Sequence, residues 1–60
     1  MSHPGSGAIT VVVADDEPVA RAALREMLGD IQWLRVVGEA SNGLAAVEAI
    51  ERLRPDLAFL

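Results

Sequence analysis

The run from Ala8 to Ala14, Ala-Ile-Thr-Val-Val-Val-Ala, is almost wholly apolar and rich in β-branched side chains. It stops abruptly at Asp15-Asp16-Glu17-Pro18. A strand of this kind has no polar face to offer water, so it suits the middle of a parallel sheet covered on both sides. Pro18 suits the first position of a helix, where its missing N–H costs nothing. The acids just before it complement the positive helix end. One short stretch therefore predicts a central strand that runs straight into a helix.

The remaining chain repeats that alternation. Val19 to Leu28 reads as a helix with Ala20, Ala23, Leu24, Met27 and Leu28 on its inner face. Glu17 and Arg21 stand four apart in the order that favours an ion pair. Gly29 and Asp30 stop this helix. Ile31 to Leu34 connect onward, with Trp33 expected to pin the connector onto the core. Arg35 to Ala40 reads as a second strand, in which Gly38 marks close backbone packing. Ser41 or Asn42 can cap the next helix, Leu44 to Arg54, whose stripe is Ala46, Val47, Ile50 and Leu53. Glu48 and Arg52 are a second supportive pair. Pro55 and Asp56 break the helix, and Leu57 to Leu60 begins a third strand. A βαβαβ order with short loops predicts a parallel sheet with helices packed on it. The expected core includes Leu24, Met27, Leu28, Val47, Ile50 and Leu53.

Composition excludes several functions. The 60 residues carry nine acids against five bases, for a net charge of −4 and an isoelectric point near 4.6. An acidic chain with no basic run is poorly suited to direct contact with DNA or RNA. There is no cysteine, hence no disulfide and no thiolate metal site, and the single histidine, His3, cannot build a metal site alone. No apolar stretch approaches a membrane span, and no signal-peptide pattern opens the chain. A soluble, cytoplasmic protein is expected. All five bases are arginine, which fits a GC-rich bacterial genome. Residues 1–7 are small, polar and turn-forming, and they read as a disordered leader. Gly5 and Gly7 precede the first strand, so they do not form a dinucleotide-binding loop, which must follow a strand and open a helix.

The acidic pair is the candidate site. In open α/β sheets ligands bind beyond the carboxyl ends of the strands, and Asp15 and Asp16 sit at that end of the first strand. Two adjacent carboxylates repel, and a hard cation such as Mg²⁺ offsets the repulsion. The bland alternative is that the acids only favour the helix N-terminus or face water.

Three segments, in order, resemble the response-regulator receiver domain: Ile9 to Pro18, Val36 to Gly43 (Val-Val-Gly-Glu-Ala-Ser-Asn-Gly), and Arg54 to Leu60 (Arg-Pro-Asp-Leu-Ala-Phe-Leu). The resemblance covers nearly everything from Ile9 to Leu60. It implies a flavodoxin-like (CheY-like) doubly wound sheet with strand order 2-1-3. Asp15 and Asp16 match the family's Mg²⁺-positioning acids. Glu17 and Pro18 match the start of the first helix, on whose face the sensor histidine kinase docks. Arg21 and Arg25 are either part of that docking surface or a solvated face. In the family the residue after the third strand is the aspartate that accepts phosphate. The chain stops at Leu60, one residue short of it, so residues 8–60 are expected to be the N-terminal half of a receiver domain. Residues 1–60 alone are then expected to take up no phosphoryl group. The pattern Asp-Asp-Glu-Pro-Val-Ala-Arg with Pro-Asp-Leu-Ala-Phe-Leu most resembles regulators with a LytTR-type DNA-binding output domain. Those with a NarL-type helix-turn-helix output share Val-Val-Gly-Glu-Ala. DNA contact would then belong to an output domain outside this chain.

The resemblance implies a signalling domain rather than an enzyme. A phosphatase of the haloacid-dehalogenase-like group would place an aspartate two residues after Asp15, where this chain has Glu17. The other competing reading is a small structural module that self-associates through an exposed sheet edge.

Overall fold

The computed structural model describes residues 8–59. The leader, residues 1–7, and Leu60 lie outside the described residues. Five elements follow in the expected order: β1 (Ile9–Ala14), α1 (Pro18–Gly29), β2 (Leu34–Ala40), α2 (Gly43–Leu53) and β3 (Leu57–Phe59). The strands form one parallel sheet in the order β2-β1-β3, as the family resemblance implies. β1 lies in the middle, and its Val11, Val12 and Val13 are fully buried. That is why its sequence carries no polar face.

Alternate residues of β1 serve opposite faces of the sheet. Val11 and Val13 pack with Leu28 of α1, and Ile9, Leu24, Ile31, Leu34, Val36 and Phe59 gather around them. Ala14 packs instead with Ala40 and with Ala46 of α2. The two helices therefore cover opposite faces, one core dominated by branched side chains and the other by alanines.

The register between β1 and β2 slips by one residue. Val11 pairs with Val36, but the next residue, Val12, pairs with Gly38. Val37 is the extra residue of a β-bulge. Val36 thus stays on the α1 face, while beyond the bulge Glu39 faces α1 and Ala40 faces α2. Gly38 lies under α2, where a Cβ would come within 2.6 Å of Leu53 Cδ1. The expected close backbone packing is found there. Gly38→Val is expected to cost about 1–3 kcal/mol by overpacking, read as a lower urea midpoint with an unchanged slope.

Several packing expectations fail, and Ala20 and Ala23, expected on the inner face of α1, are exposed. Trp33 does not pin the connector: it is 60% exposed. The connector is a tight turn in which Ile31 N–H donates to Leu28 O (3.1 Å) and Leu34 N–H to Ile31 O (3.0 Å). That geometry turns Ile31 inward and Trp33 outward. The Trp33 carbonyl accepts Ile9 N–H at 2.8 Å. Met27 (63% exposed) and Val47 (52%) are not core either. At about 100° per residue, the stripe through Arg21, Leu24 and Leu28 leaves Met27 on its shoulder. The stripe through Ala46, Ala49, Ile50 and Leu53 does the same to Val47. Ala49, which the stripe as read from the sequence omits, is buried.

The helix ends obey local chemistry. Asn42, one of the two expected caps, accepts Ala45 N–H on its side chain at 2.8 Å. α2 closes on Arg54 in the left-handed region (φ 51°), and Pro55 prevents continuation. Asp56 then fixes the entry to β3. Its carboxylate accepts both Thr10 N–H (2.8 Å) and Thr10 Oγ1–H (3.1 Å), and its own N–H donates to Thr10 O at 2.9 Å.

Candidate functional site

The C-terminal end of β1 delivers Asp15 half-buried and Asp16 exposed. Asp15 is held at three points. Its N–H donates to Ala40 O at 3.0 Å, continuing the ladder to β2. Its Oδ1 accepts Glu17 N–H at 2.9 Å, which satisfies a donor at the start of α1, where Glu17 itself makes no side-chain cap. Its carbonyl accepts Arg21 Nη1–H at 2.7 Å. Among the described residues, neither Asp15 Oδ2 nor either oxygen of Asp16 accepts a hydrogen bond.

The acids line an open groove of about 460 Å³ together with Ala14, Asn42, Gly43 and Ala46. The opposite wall is the capped N-terminus of α2, and the small residues leave room for a hydrated ion. The donor set suits Mg²⁺, a hard cation that takes one or two carboxylates and keeps several waters. Two carboxylates alone do not complete a site. Among the described residues no cluster of three or more histidine, cysteine or acidic side chains could hold a metal.

Arg21 does not pair with Glu17 as the four-residue spacing predicts. Its Nε donates to Glu39 Oε1 at 3.3 Å, and Arg25 Nε reaches Glu39 Oε2 at 3.1 Å. Arg21 is not a plain solvated face: it is 22% exposed and tied down on both sides, whereas Arg25 is 58% exposed. Among the described residues, Glu48 and Arg52 form no ion pair. Sequence spacing gave no sign of the Arg21 contacts, because Glu39 faces α1 only beyond the β2 bulge.

The register also locates what lies beside the acids. Val11, Val12 and Val13 pair with Leu57, Ala58 and Phe59. The C-terminal ends of β1 and β3 therefore lie side by side.

The description of the response regulator receiver domain matches residues 11–60. The chain belongs to this family. Its relatives include a response regulatory protein of Yersinia pestis, 46% identical over 52 residues, and the transcriptional regulatory protein BtsR of Escherichia coli, 44% identical over 52 residues. Each match covers 87% of this chain and 22% of the relative, so the chain spans about a fifth of the length of these proteins. Among solved structures, RcsB of Salmonella enterica serovar Typhimurium, bound to promoter rprA in the presence of phosphomimetic BeF3-, superimposes with a TM-score of 0.79 at 29% identity. That match covers 85% of this chain and 25% of RcsB. The receiver fold and the kinship with transcription regulators are thus established. Among the described residues no helix is long and apolar enough to cross a membrane.

Proposed function

We propose that this chain is the N-terminal half of the receiver domain of a cytoplasmic two-component response regulator. In this reading Asp15 and Asp16 hold Mg²⁺, and the aspartate that accepts a phosphoryl group from a sensor histidine kinase follows Leu60. The observation that carries the reading is that the acidic pair follows β1, which pairs in parallel with β3. The two strand ends that the chemistry requires lie side by side. A bound Mg²⁺ supplies neutralisation of charge on the phosphoryl and acceptor oxygens. The chain's own part is to hold two carboxylates at the strand end, one fixed by the turn into α1 and one open to the groove. The phosphorylated domain would then bias a two-state switch in later elements. The role is signalling rather than enzymatic.

The relatives are consistent with control of transcription through a separate DNA-binding domain. The local pattern resembles regulators with a LytTR-type output, and the RcsB structure was solved on a promoter. The acidic composition of residues 1–60 supports DNA contact through a separate output domain rather than through this segment.

The test is the chain as its gene encodes it, incubated with a small acyl phosphate and Mg²⁺. One phosphoryl group is expected by mass, on an aspartate directly after Leu60, with no uptake when Mg²⁺ is chelated. Uptake that is absent, or placed elsewhere, overturns the reading. A second reading, a structural module that self-associates by its edge, draws on the exposure of Leu57 (45%) on β3. It predicts concentration-dependent sedimentation and no Mg²⁺-induced movement of the Asp15 and Asp16 amide signals.

A further inference from the structure

We infer that Arg21 is a positioning residue for the acidic pair, itself oriented by Glu39. This rests on the Mg²⁺ role proposed above. The Arg21 side chain, on α1, links the end of β1 to β2 beside the acidic pair. Its guanidinium donates to the Asp15 carbonyl at 2.7 Å and to Glu39 on β2 at 3.3 Å, while its own helix starts at the acidic turn.

The geometry gives this contact two effects. The Asp15 carbonyl belongs to the peptide unit that joins Asp15 to Asp16. A charge-assisted bond to that oxygen fixes the plane of the unit and so sets the direction in which Asp16 leaves the backbone. Asp15 is already held by Ala40 O and Glu17 N–H, whereas Asp16, exposed, has no such tie among the described residues. Arg21 is therefore the group that settles where the second carboxylate stands. Secondly, a guanidinium at the Asp15 backbone sets a positive charge behind two like-charged carboxylates, which keeps them together before any cation arrives.

Glu39 makes the arrangement rigid. It occupies Arg21 Nε, so the planar fork is aimed with Nη1 at the carbonyl, and Arg25 holds the other Glu39 oxygen at 3.1 Å. A lysine at 21 keeps the charge but lacks the fork. Outer residues that orient metal ligands commonly account for 10- to 100-fold in metal affinity.

The experiment uses the chain as its gene encodes it, with Arg21→Gln, Arg21→Lys, Glu39→Gln and, as a charge-matched control, Arg52→Gln. Mg²⁺ affinity is read from amide shifts of Asp15 to Glu17, and the Asp15 carbonyl carbon shift is read without metal. Arg21→Gln is expected to weaken Mg²⁺ about tenfold and to move the carbonyl signal in metal-free protein. Arg21→Lys recovers part of the affinity. Glu39→Gln shifts both readouts in the same direction but less, and it stands in for Arg21→Gln should that variant not fold. Arg52→Gln leaves both unchanged. Wild-type affinity and an unmoved carbonyl signal in the Arg21 and Glu39 variants would overturn the inference while leaving the Mg²⁺ role intact. A wild-type chain that binds no Mg²⁺ overturns the Mg²⁺ role and this inference with it, and a moved carbonyl signal then marks the Arg21 bond as purely structural.

Discussion

Val13→Asp is expected to leave no folded population at 25 °C. Val13 is fully buried, pairs with Glu39 on one side and Phe59 on the other, and packs under α1 with Leu28. A carboxylate there would enter a fully buried apolar cluster, and burying a charge costs about 5 kcal/mol or more. A chain of 60 residues has little reserve: about 3–9 kcal/mol by the usual per-residue scale, toward the lower end because short chains bury a smaller share of their surface. The isosteric Val13→Thr grades the effect. It keeps the shape and adds one hydroxyl, at about 1–3 kcal/mol, so it should fold with a lowered urea midpoint. Far-ultraviolet circular dichroism against urea separates the three proteins. A native-like Val13→Asp spectrum would show that the α1-facing core is not closed over β1.

Joint replacement of Asp15 and Asp16 by asparagine is expected to abolish Mg²⁺-dependent phosphoryl uptake by the gene-encoded chain without unfolding it. Asparagine keeps an oxygen that accepts the Glu17 N–H, so the turn into α1 survives. What disappears is the negative charge that attracts the ion. Loss of several kcal/mol of charge stabilisation corresponds to about 100-fold or more in rate. Removing two like charges from one turn also relieves repulsion, so the midpoint of thermal unfolding without Mg²⁺ should stay level or rise. Added Mg²⁺ should raise that midpoint for the wild type by mass action and not for the variant. Equal phosphoryl uptake by the two proteins would remove the acidic pair from the site.

The parts of this fold that are readable in sequence are those fixed by neighbours in the chain. β1 announces itself by continuous β-branched burial, α1 by Pro18, and the α2 cap by Asn42. The acidic pair is legible for the same reason, since it sits where an apolar strand stops. Features set by partners far along the chain are not. Arg21 reads as a partner of Glu17, four residues away, and turns instead to Glu39 on another strand. Trp33, Met27 and Val47 are apolar enough for a core, yet the helix phase and a tight turn hold them outside. Gly38 came closest to revealing the missing information: it marks a tight spot without telling that the strand changes phase just before it.

That change of phase makes Val37 a removable residue. Val36 and Glu39 stand three apart yet both face α1, which a strand alternating at every residue does not allow. Straightening β2 with Val37 still in place would turn Glu39 away from Arg21 and bring Ala40 out from under α2. Deleting Val37 would instead leave a regular ladder in which Val36, Gly38, Glu39 and Ala40 keep the partners and faces that they have now. Shortening the strand by this one residue is therefore expected to keep both faces of the sheet in order.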